Sequence, residues 1–570
     1  MAQSVAASGG APLEGQQTLA ATVSRKRLIF VVVGVMLGML LGALDQTIVG
    51  TAMPRVIAEL GGLSHYSWVF TGYLLASTVM VPIYGKLSDI YGRRLFFMGG
   101  MVLFLLGSAL SGTSQDMTQL IIYRAIQGLG AGALMPIAQA IIGDVFPPSE
   151  RGKWQGLMMA VFGLATIVGP TAGGWITDNW GWRWVFYVNM PVGVVALLTT
   201  GLAMPKVMRK QHKVDILGSL ALVFAAVPLL LAFSLGGTTT DGVAYNWTST
   251  PILAMFAVSV VFWVLFFVRE NVASEPIISP RLFKNGIFTV SSIATFLLSA
   301  GMFGAILYLP LFVQGVIGDS ATNSGVVLTP MMLGFIASSV IGGQLMSRTG
   351  RYKFLALVGF AVAIVGMWLL SQMSVSTSEG LVIRNMIITG LGIGVEMSLF
   401  TIVVQNAFPF RQLGEVTASL QFFRSIGGTI GTAVMGTILT NSFTSTFQAK
   451  LPATIKAAVP ASQLSQLSNP QVLLAPGVTA QIQHGFDAFG PQGQALFQQL
   501  MEAMRSSLAT AITQLFLLGA GAMVLAFMVT LFLREIPLRR SHKADEGAIA
   551  EAAPTDGDAE RATAAFPGAI

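Results

Sequence analysis

Apolar runs of about 20 residues alternate with short polar links along most of this chain. A helix of about 20 residues crosses the ~30 Å hydrocarbon layer of a bilayer. Since the backbone of each segment must satisfy its own polar groups in lipid, these runs are helices. The pattern predicts an all-α integral membrane protein with fourteen spans, at 28–51, 66–85, 95–112, 118–143, 154–178, 184–203, 215–235, 250–268, 287–314, 326–346, 354–372, 382–406, 415–440 and 511–533.

The amino-acid composition agrees with a membrane protein and excludes several kinds of site chemistry. Of the 570 residues, 54% are hydrophobic and only 10% are charged, whereas soluble domains carry about 25% charged residues. The chain has no cysteine and only four scattered histidines, so we expect no disulfide, no metal site and no thiol chemistry. No phosphate-binding loop and no catalytic constellation are visible. We therefore expect a protein that is not an enzyme and that needs no cofactor.

Most of the lysines and arginines fall in alternate links, so they collect on one side of the predicted membrane protein. Cytoplasmic loops carry the excess of these residues. This distribution predicts a multi-pass protein of the cell membrane with both termini in the cytoplasm. It also explains the net charge of +7 without a nucleic-acid partner.

The polar turn at 85–94 (GKLSDIYGRR) joins two apolar runs. Gly92 suits the backbone angle that so short a turn requires. Asp89 can pair with an arginine, or it can cap a neighbouring helix in one arrangement of the bundles. We expect a cytoplasmic latch, a contact made in one conformation and released in another, formed by Gly85, Asp89, Gly92, Arg93 and Arg94.

An internal repeat relates the two parts of the chain. Residues 85–93 recur at 343–351 and residues 146–152 recur at 408–414. The spacing predicts two six-helix bundles in parallel orientation, with a helix pair inserted between them and the substrate bound near the midplane between the bundles. Ser347 replaces Asp89 in the second copy, so we expect a weaker latch there.

These patterns divide the chain into five parts. We expect a disordered cytoplasmic N-terminus at 1–24, an N-terminal bundle at 25–203, the inserted pair with its linkers at 204–284, a C-terminal bundle at 285–533 and a cytoplasmic tail at 534–570. The C-terminal bundle includes an external segment at 441–510. The apolar spacing in the latter part of this segment predicts an amphipathic extension of the last span, with an external lid or lipid-contacting element as the alternative.

Four further stretches carry a family resemblance: 44–49 (LDQTIV), 124–132 (RAIQGLGAG), 163–174 (GLATIVGPTAGG) and 182–193 (WRWVFYVNMPVG). With the turn at 85–94, they resemble motifs of the major facilitator superfamily, and in particular its fourteen-helix drug:proton antiporter branch. The resemblance implies proton-coupled export of lipophilic, possibly cationic, drugs. The alternative is an exporter or flippase of lipid-like molecules on the same fold. We expect a small lipophilic substrate and membrane lipids as partners, and a monomer.

Four ionisable residues lie in the interior of predicted spans, away from the span ends, where each costs at least about 2.5–3.5 kcal/mol on insertion scales. Asp45, Arg124, Glu396 and Arg424 are therefore our candidates for proton coupling or substrate binding. The resemblance supports Asp45 and Arg124, whereas Glu396 belongs to no recognised motif. A structural salt bridge is the alternative for Asp45, and snorkelling to the cytoplasmic surface is the alternative for Arg424.

Two further groups of residues are candidates for a functional role, and for both groups ordinary helix packing is the alternative interpretation. The fifth span has a row of small residues and a proline that bends the helix: Gly163, Gly169, Pro170, Gly173 and Gly174. This row resembles the antiporter helix motif, and we expect it to let the two bundles slide past each other as they rock. The candidates for lining an apolar substrate cavity are Gln127, Tyr73, Phe162, Tyr308 and Phe312.

Overall fold

The computed structural model describes residues 24–60, 66–205, 214–240, 243–317, 328–409, 412–452, 455, 482–486 and 490–538. Within these ranges, fourteen helices are long and apolar enough to cross a membrane, which confirms the all-α membrane fold predicted from the hydrophobic pattern. The expected N-terminal disorder at 1–24 and the expected tail fall almost wholly outside the described residues, as does the middle of the 441–510 segment.

The first bundle contains six spans. Its helices are α1 (Arg25–Leu60), α2 (Tyr66–Tyr91), α3 (Arg93–Thr113), α4 (Met117–Val145), α5 (Pro148–Asn179), α6 (Trp184–Tyr187) and α7 (Asn189–Ala203). The short α6 and the following α7 together form the sixth span. Helix α4 begins where Asp116 accepts a hydrogen bond from the Gln119 N–H at 2.8 Å, a helix cap that fixes the start of the helix.

The inserted pair and the second bundle complete the spans. The pair is α8 (Ile216–Leu235) and α9 (Thr250–Val272), joined by a hairpin of β1 (Thr238–Thr240) and β2 (Val243–Tyr245). After a 3₁₀ turn at Pro280–Lys284, the second bundle contains α10 (Gly286–Phe312), a π-helical turn (Val313–Ile317), α11 (Thr329–Thr349), α12 (Tyr352–Ser371), α13 (Glu379–Ala407), α14 (Leu413–Lys450) and α15 (Gly490–Thr530).

The two bundles meet along two main seams, where α5 packs on α11 and α2 packs on α14. In the internal repeat, α2 corresponds to α11 and α5 corresponds to α14. The α2–α14 seam and the α5–α11 seam are therefore formed by corresponding pairs of helices. We call the side with the α2–α3, α4–α5, α11–α12 and α13–α14 turns the basic face, and the other side the opposite face. Helix α8 contacts both α2 and α14, so the inserted pair covers the second seam from the outside.

Two helices extend well past the bilayer on the opposite face. Helix α14 has 38 residues and α15 has 41, or about 57 and 62 Å at 1.5 Å per residue, about twice the hydrocarbon thickness. Phe443 and Phe447 of α14 stack on each other, and Leu500, Met504 and Leu508 of α15 are buried there. The structure thus confirms that the last span has an amphipathic helical extension.

Candidate functional site

A cavity of about 440 Å³ lies between the two bundles. Residues of α1, α2, α4 and α5 form one wall, residues of α10, α13 and α14 form the other, and α8 closes one side. The lining continues to Gly237, just beyond the end of α8, and to Thr440, in the last part of α14. The cavity therefore approaches the opposite face, whereas the seams described below close the basic face.

Asp45 is completely buried beside this cavity and holds three polar side chains together. Its Oδ2 accepts a hydrogen bond from Arg124 Nη1 at 2.6 Å. Its Oδ1 accepts from Gln127 Nε2 at 2.8 Å and from Asn189 Nδ2 at 3.1 Å. Because every one of these contacts donates to the carboxyl, the arrangement suits an ionised carboxylate. The contacts join α1, α4 and α7 through one buried ion pair.

Tyr73 connects the ion pair to the cavity. The guanidinium carbon of Arg124 lies 4.2 Å from the centre of the Tyr73 ring, and Tyr73 lines the cavity. The ion pair therefore lies one side chain behind the cavity wall, since Asp45 and Arg124 are not lining residues themselves.

Sequence reasoning did not name Asn189 or Ser108 as site residues, although they complete this network. Asn189 Nδ2 also lies 3.0 Å from Ser108 Oγ, which in turn donates to the Phe186 carbonyl. A polar residue inside an apolar span was the available signal for Asn189, because the span has to provide it with partners.

Glu396 lies elsewhere in the second bundle. It is completely buried on α13, and its carboxylate is directed at Gly359 and Phe360 of α12. It is not a lining residue, although its neighbour Met397 is. The structure therefore separates Glu396 from both the cavity and Asp45.

Arg424 does line the cavity. Only 4% of this residue of α14 is exposed. Its Nη1 donates to Gln421 Oε1 at 2.8 Å, and its Nη2 donates to the Met397 carbonyl at 3.2 Å. Both acceptors are neutral, so the guanidinium is held in place without a counter-charge from the residues that the structure describes.

The remaining cavity candidates divide into two groups. Tyr73 and Phe162 line the cavity. Gln127 belongs to the Asp45 network, Phe312 is completely buried in the apolar core, and Tyr308 donates to the Thr432 carbonyl at 3.4 Å. Gln127, Tyr308 and Phe312 are therefore not lining residues of the cavity in this conformation.

The latch region joins the two bundles at the basic face. Asp89 forms an ion pair with Arg93 and also accepts hydrogen bonds from the backbone N–H groups of Gly414 and Glu415, at 3.2 and 2.7 Å. The carboxylate thereby caps the start of α14, where a negative charge is favourable. Sequence reasoning left an arginine pair and a helix cap open, and the structure has both. Arg93 Nε also donates to Asp144 Oδ2 at 2.9 Å.

The other residues of this turn serve different contacts. Gly92 has φ +103°, and Gly350 at the repeated position has φ +70°, which confirms the predicted need for glycine in the turn. Arg94 donates to the Gly201 carbonyl at 2.6 Å and so remains within the first bundle. Lys86 lies 2.8 Å from Glu275, in the linker after α9.

Four glycines allow the seams to close, and all four belong to the repeated segments. A Cβ on Gly85 would overlap Ala418 and approach the Gly414 carbonyl, and one on Gly414 would overlap the Asp89 and Arg93 side chains. A Cβ on Gly152 would overlap the Gly343 carbonyl, and one on Gly343 would overlap the Gly152 backbone. The two seams are thus equivalent, and each bundle contributes one glycine to each seam.

The antiporter helix motif is split between different neighbours. A Cβ on Gly163 would meet Ile336 of α11, across the seam. Gly169 and Gly173 instead allow α5 to approach Thr47 and Thr51 of α1 within the first bundle, and a Cβ on Gly174 would meet nothing within 4 Å. Pro170 lies inside the same helix. The predicted single sliding stripe is therefore divided between two interfaces.

An exposed contact links helices near the opposite face. Arg183 and the Trp182 indole N–H both donate to the Glu59 carboxylate. These hydrogen bonds, with that from Arg183 having the larger effect, lower the pKa of Glu59. Elsewhere in the described ranges, no group of three His, Cys, Asp or Glu residues could hold a metal ion.

Sequence comparisons place this architecture in a known group. The family model described as Major Facilitator Superfamily matches residues 35–432. The "Multidrug transporter protein MdtP" of Bacillus subtilis (strain 168) is 39% identical over 90% of this chain and 94% of its own length. The "Multidrug resistance protein 3" of the same organism is 39% identical, with 88% and 94% covered.

Solved structures agree on the fold. A bacterial homologue of the human lysosomal transporter Spinster, in an inward-facing and unoccupied conformation, aligns with a TM-score of 0.55 at 16% identity, and covers 90% of this chain and 100% of its own. The human organic anion transporter MFSD10 aligns with a TM-score of 0.54 at 15% identity, with 87% and 99% covered. At these identities the similarity concerns the fold alone.

Proposed function

This chain belongs to the major facilitator superfamily of membrane transporters, and on that premise we propose that it exports lipophilic drug-like molecules in exchange for protons. Relatives with names of multidrug transport and resistance proteins support the drug-efflux part of this proposal. The cavity between two bundles that are closed at one face supports alternating access, in which the bundles rock around a central site.

The basic face is the cytoplasmic face in this proposal. The positive-inside rule supports that orientation, because five basic residues lie at turns or helix ends of this face: Lys86, Arg93, Arg94, Arg151 and Arg351. The conformation described above would then be closed towards the cytoplasm and would have its cavity directed outwards, as is required for the release of exported molecules.

The observation that carries the proton-exchange proposal is the fully buried Asp45–Arg124 pair behind Tyr73. A proton arriving through the cavity would neutralise Asp45 and remove its attraction for Arg124. The buried partners of a lost ion pair must rearrange, because an uncompensated buried charge is strongly unfavourable. This rearrangement would connect α1, α4 and α7 to the change in access.

The driving force is adequate for such a cycle. Each elementary charge that moves along the membrane potential contributes about 2.3 kcal/mol per 100 mV. The pH gradient adds about 1.4 kcal/mol per unit, the free energy of a tenfold ratio. One inbound proton can therefore drive substantial accumulation of one outbound molecule.

The test begins with survival of cells across a panel of toxic lipophilic compounds, with and without the protein. A compound that the protein exports is then followed in proteoliposomes with an imposed pH gradient. We expect Asp45→Asn to abolish gradient-driven transport while the purified protein stays folded. Asp116→Asn is the matched control, because Asn caps a helix about as well as Asp does.

Gradient-driven transport by Asp45→Asn at the wild-type rate would remove Asp45 from the coupling role. Transport of fluorescent lipids with no dependence on the pH gradient would instead favour the lipid exporter. Glu396→Gln in the same assay tests the second acidic candidate, whose location away from the cavity predicts a smaller effect on substrate binding than on transport.

A further inference from the structure

Two buried arginines beside the cavity differ in whether a nearby carboxylate balances their positive charge. Arg124 lies 2.6 Å from the Asp45 carboxylate. Among the described residues, Arg424 has only the Gln421 side-chain oxygen and the Met397 carbonyl as acceptors, and both are neutral. The cavity wall therefore holds one positive charge that the described side chains do not neutralise.

Such a charge is unfavourable unless something in the cavity pairs with it, because a buried charge is tolerated only with compensation. The guanidinium is a planar fork whose N–H groups match the two oxygens of an acid group. Since Arg424 is a lining residue and both of its acceptors are neutral, a bound anion would supply the missing counter-charge.

The other residues that line the cavity also favour an anionic ligand. Its described residues contain no Asp and no Glu, so a lipophilic cation would meet Arg424 with no carboxylate to balance it. Asp45 is already engaged by three donors, and Glu396 is directed at α12. Flexible methionine side chains make the apolar part of the lining adaptable. This part includes Met39, Phe162, Phe233, Met302, Phe303 and Met397.

We propose that the cavity binds amphiphilic organic anions, with their apolar body against the Met and Phe side chains and their acid group on the Arg424 guanidinium. This inference rests on the proposed function in taking the cavity as the transport site, and it replaces the lipophilic cation expected from the sequence. Export of an anion against an inbound proton moves both charges along a potential that is negative inside. The membrane potential therefore favours each half of the exchange.

The test measures binding by equilibrium dialysis to the full chain in nanodiscs, with empty nanodiscs subtracted. The probes are 8-anilinonaphthalene-1-sulfonate and N-phenyl-1-naphthylamine, which share one ring framework and differ by the sulfonate. Ethidium serves as the cationic probe. Because one charge-assisted hydrogen bond separates the first two probes, we expect wild type to prefer the sulfonate by at least about tenfold.

Arg424→Gln should lose this preference and keep its affinity for N-phenyl-1-naphthylamine. Arg384→Gln is the matched control, since Arg384 is exposed, bonds to Asn385 and lies outside the lining; it should keep the preference. Equal binding of the two probes by wild type, tighter binding of ethidium, or an unchanged preference in Arg424→Gln would each overturn the proposal.

If Arg424→Gln binds neither probe, Arg424→Lys decides. A lysine retains the charge but not the planar fork, so we expect the sulfonate preference to fall by about threefold or more; an unchanged preference would refute the assignment to Arg424. These measurements use no gradient. Failure of proton exchange in proteoliposomes would therefore leave the anion site intact, and failure of anion binding would leave the Asp45 test intact.

Discussion

Gly152→Ala tests whether contact between two backbones closes the basic face. The added Cβ would overlap the Gly343 carbonyl and lie 2.6 Å from Ser347 Oγ. Backbone atoms cannot turn aside as a flexible side chain can, so α5 and α11 must separate. Inserting a methyl into a packed interface typically costs about 1–3 kcal/mol.

This penalty falls only on the conformation in which the two helices touch. With 1.4 kcal/mol for each factor of ten, the balance between closed and open basic faces should shift by about 5- to 150-fold towards open. The same substitution at Gly174, on the same helix, meets nothing within 4 Å and should leave the balance unchanged. Gly174→Ala is therefore the matched control.

The chain has no cysteine, so a single introduced thiol reports without background. Ser419→Cys is suitable, because Ser419 is completely buried on α14 and follows Ala418, which faces Gly85 across the other seam. Its accessibility thus reports opening of the face and not a local distortion at Gly152.

We expect a maleimide to label Ser419→Cys faster in the Gly152→Ala background than in the wild-type background, by a factor within the range given above. Labelling at the wild-type rate would refute the reasoning. Equal acceleration by Gly174→Ala would also refute it, because the effect would then not come from the contact.

Two further substitutions follow from other contacts. Asp89→Asn removes the charge that pairs with Arg93 and caps α14, so we expect slower turnover with substrate affinity kept, and unchanged turnover would exclude the latch role. Phe447→Ala removes a buried ring that stacks on Phe443 of the same helix and should destabilise the protein by about 3–5 kcal/mol, measured as a lower unfolding temperature in detergent. Phe532→Ala, at a residue 78% exposed, is its control and should have little effect.

Much of this architecture could be predicted from the sequence because it depends on local properties. A span requires only about 20 apolar residues in a row, and the turn at Gly92 requires only a backbone angle that other residues avoid. Asp89 was predictable for the same reason, since an acid in a short polar turn has few possible partners besides arginines and helix starts.

The site itself depended on the tertiary structure. Glu396 and Met397 are neighbours in the chain, yet Met397 lines the cavity and Glu396 is directed at α12. Successive residues on a helix point about 100° apart, and a helix that is surrounded by other apolar helices has no polar stripe to indicate which side faces water.

The sequence by itself determined that four ionisable residues lie in the interior of membrane spans, and that each therefore requires a partner or water. Only the packing of distant helices decided that Arg124 has Asp45 as its partner while Arg424 has neutral acceptors and the cavity. The physical reason is that pairing between charges depends on distance in space, and residues 79 positions apart come within 2.6 Å only when α1 packs against α4.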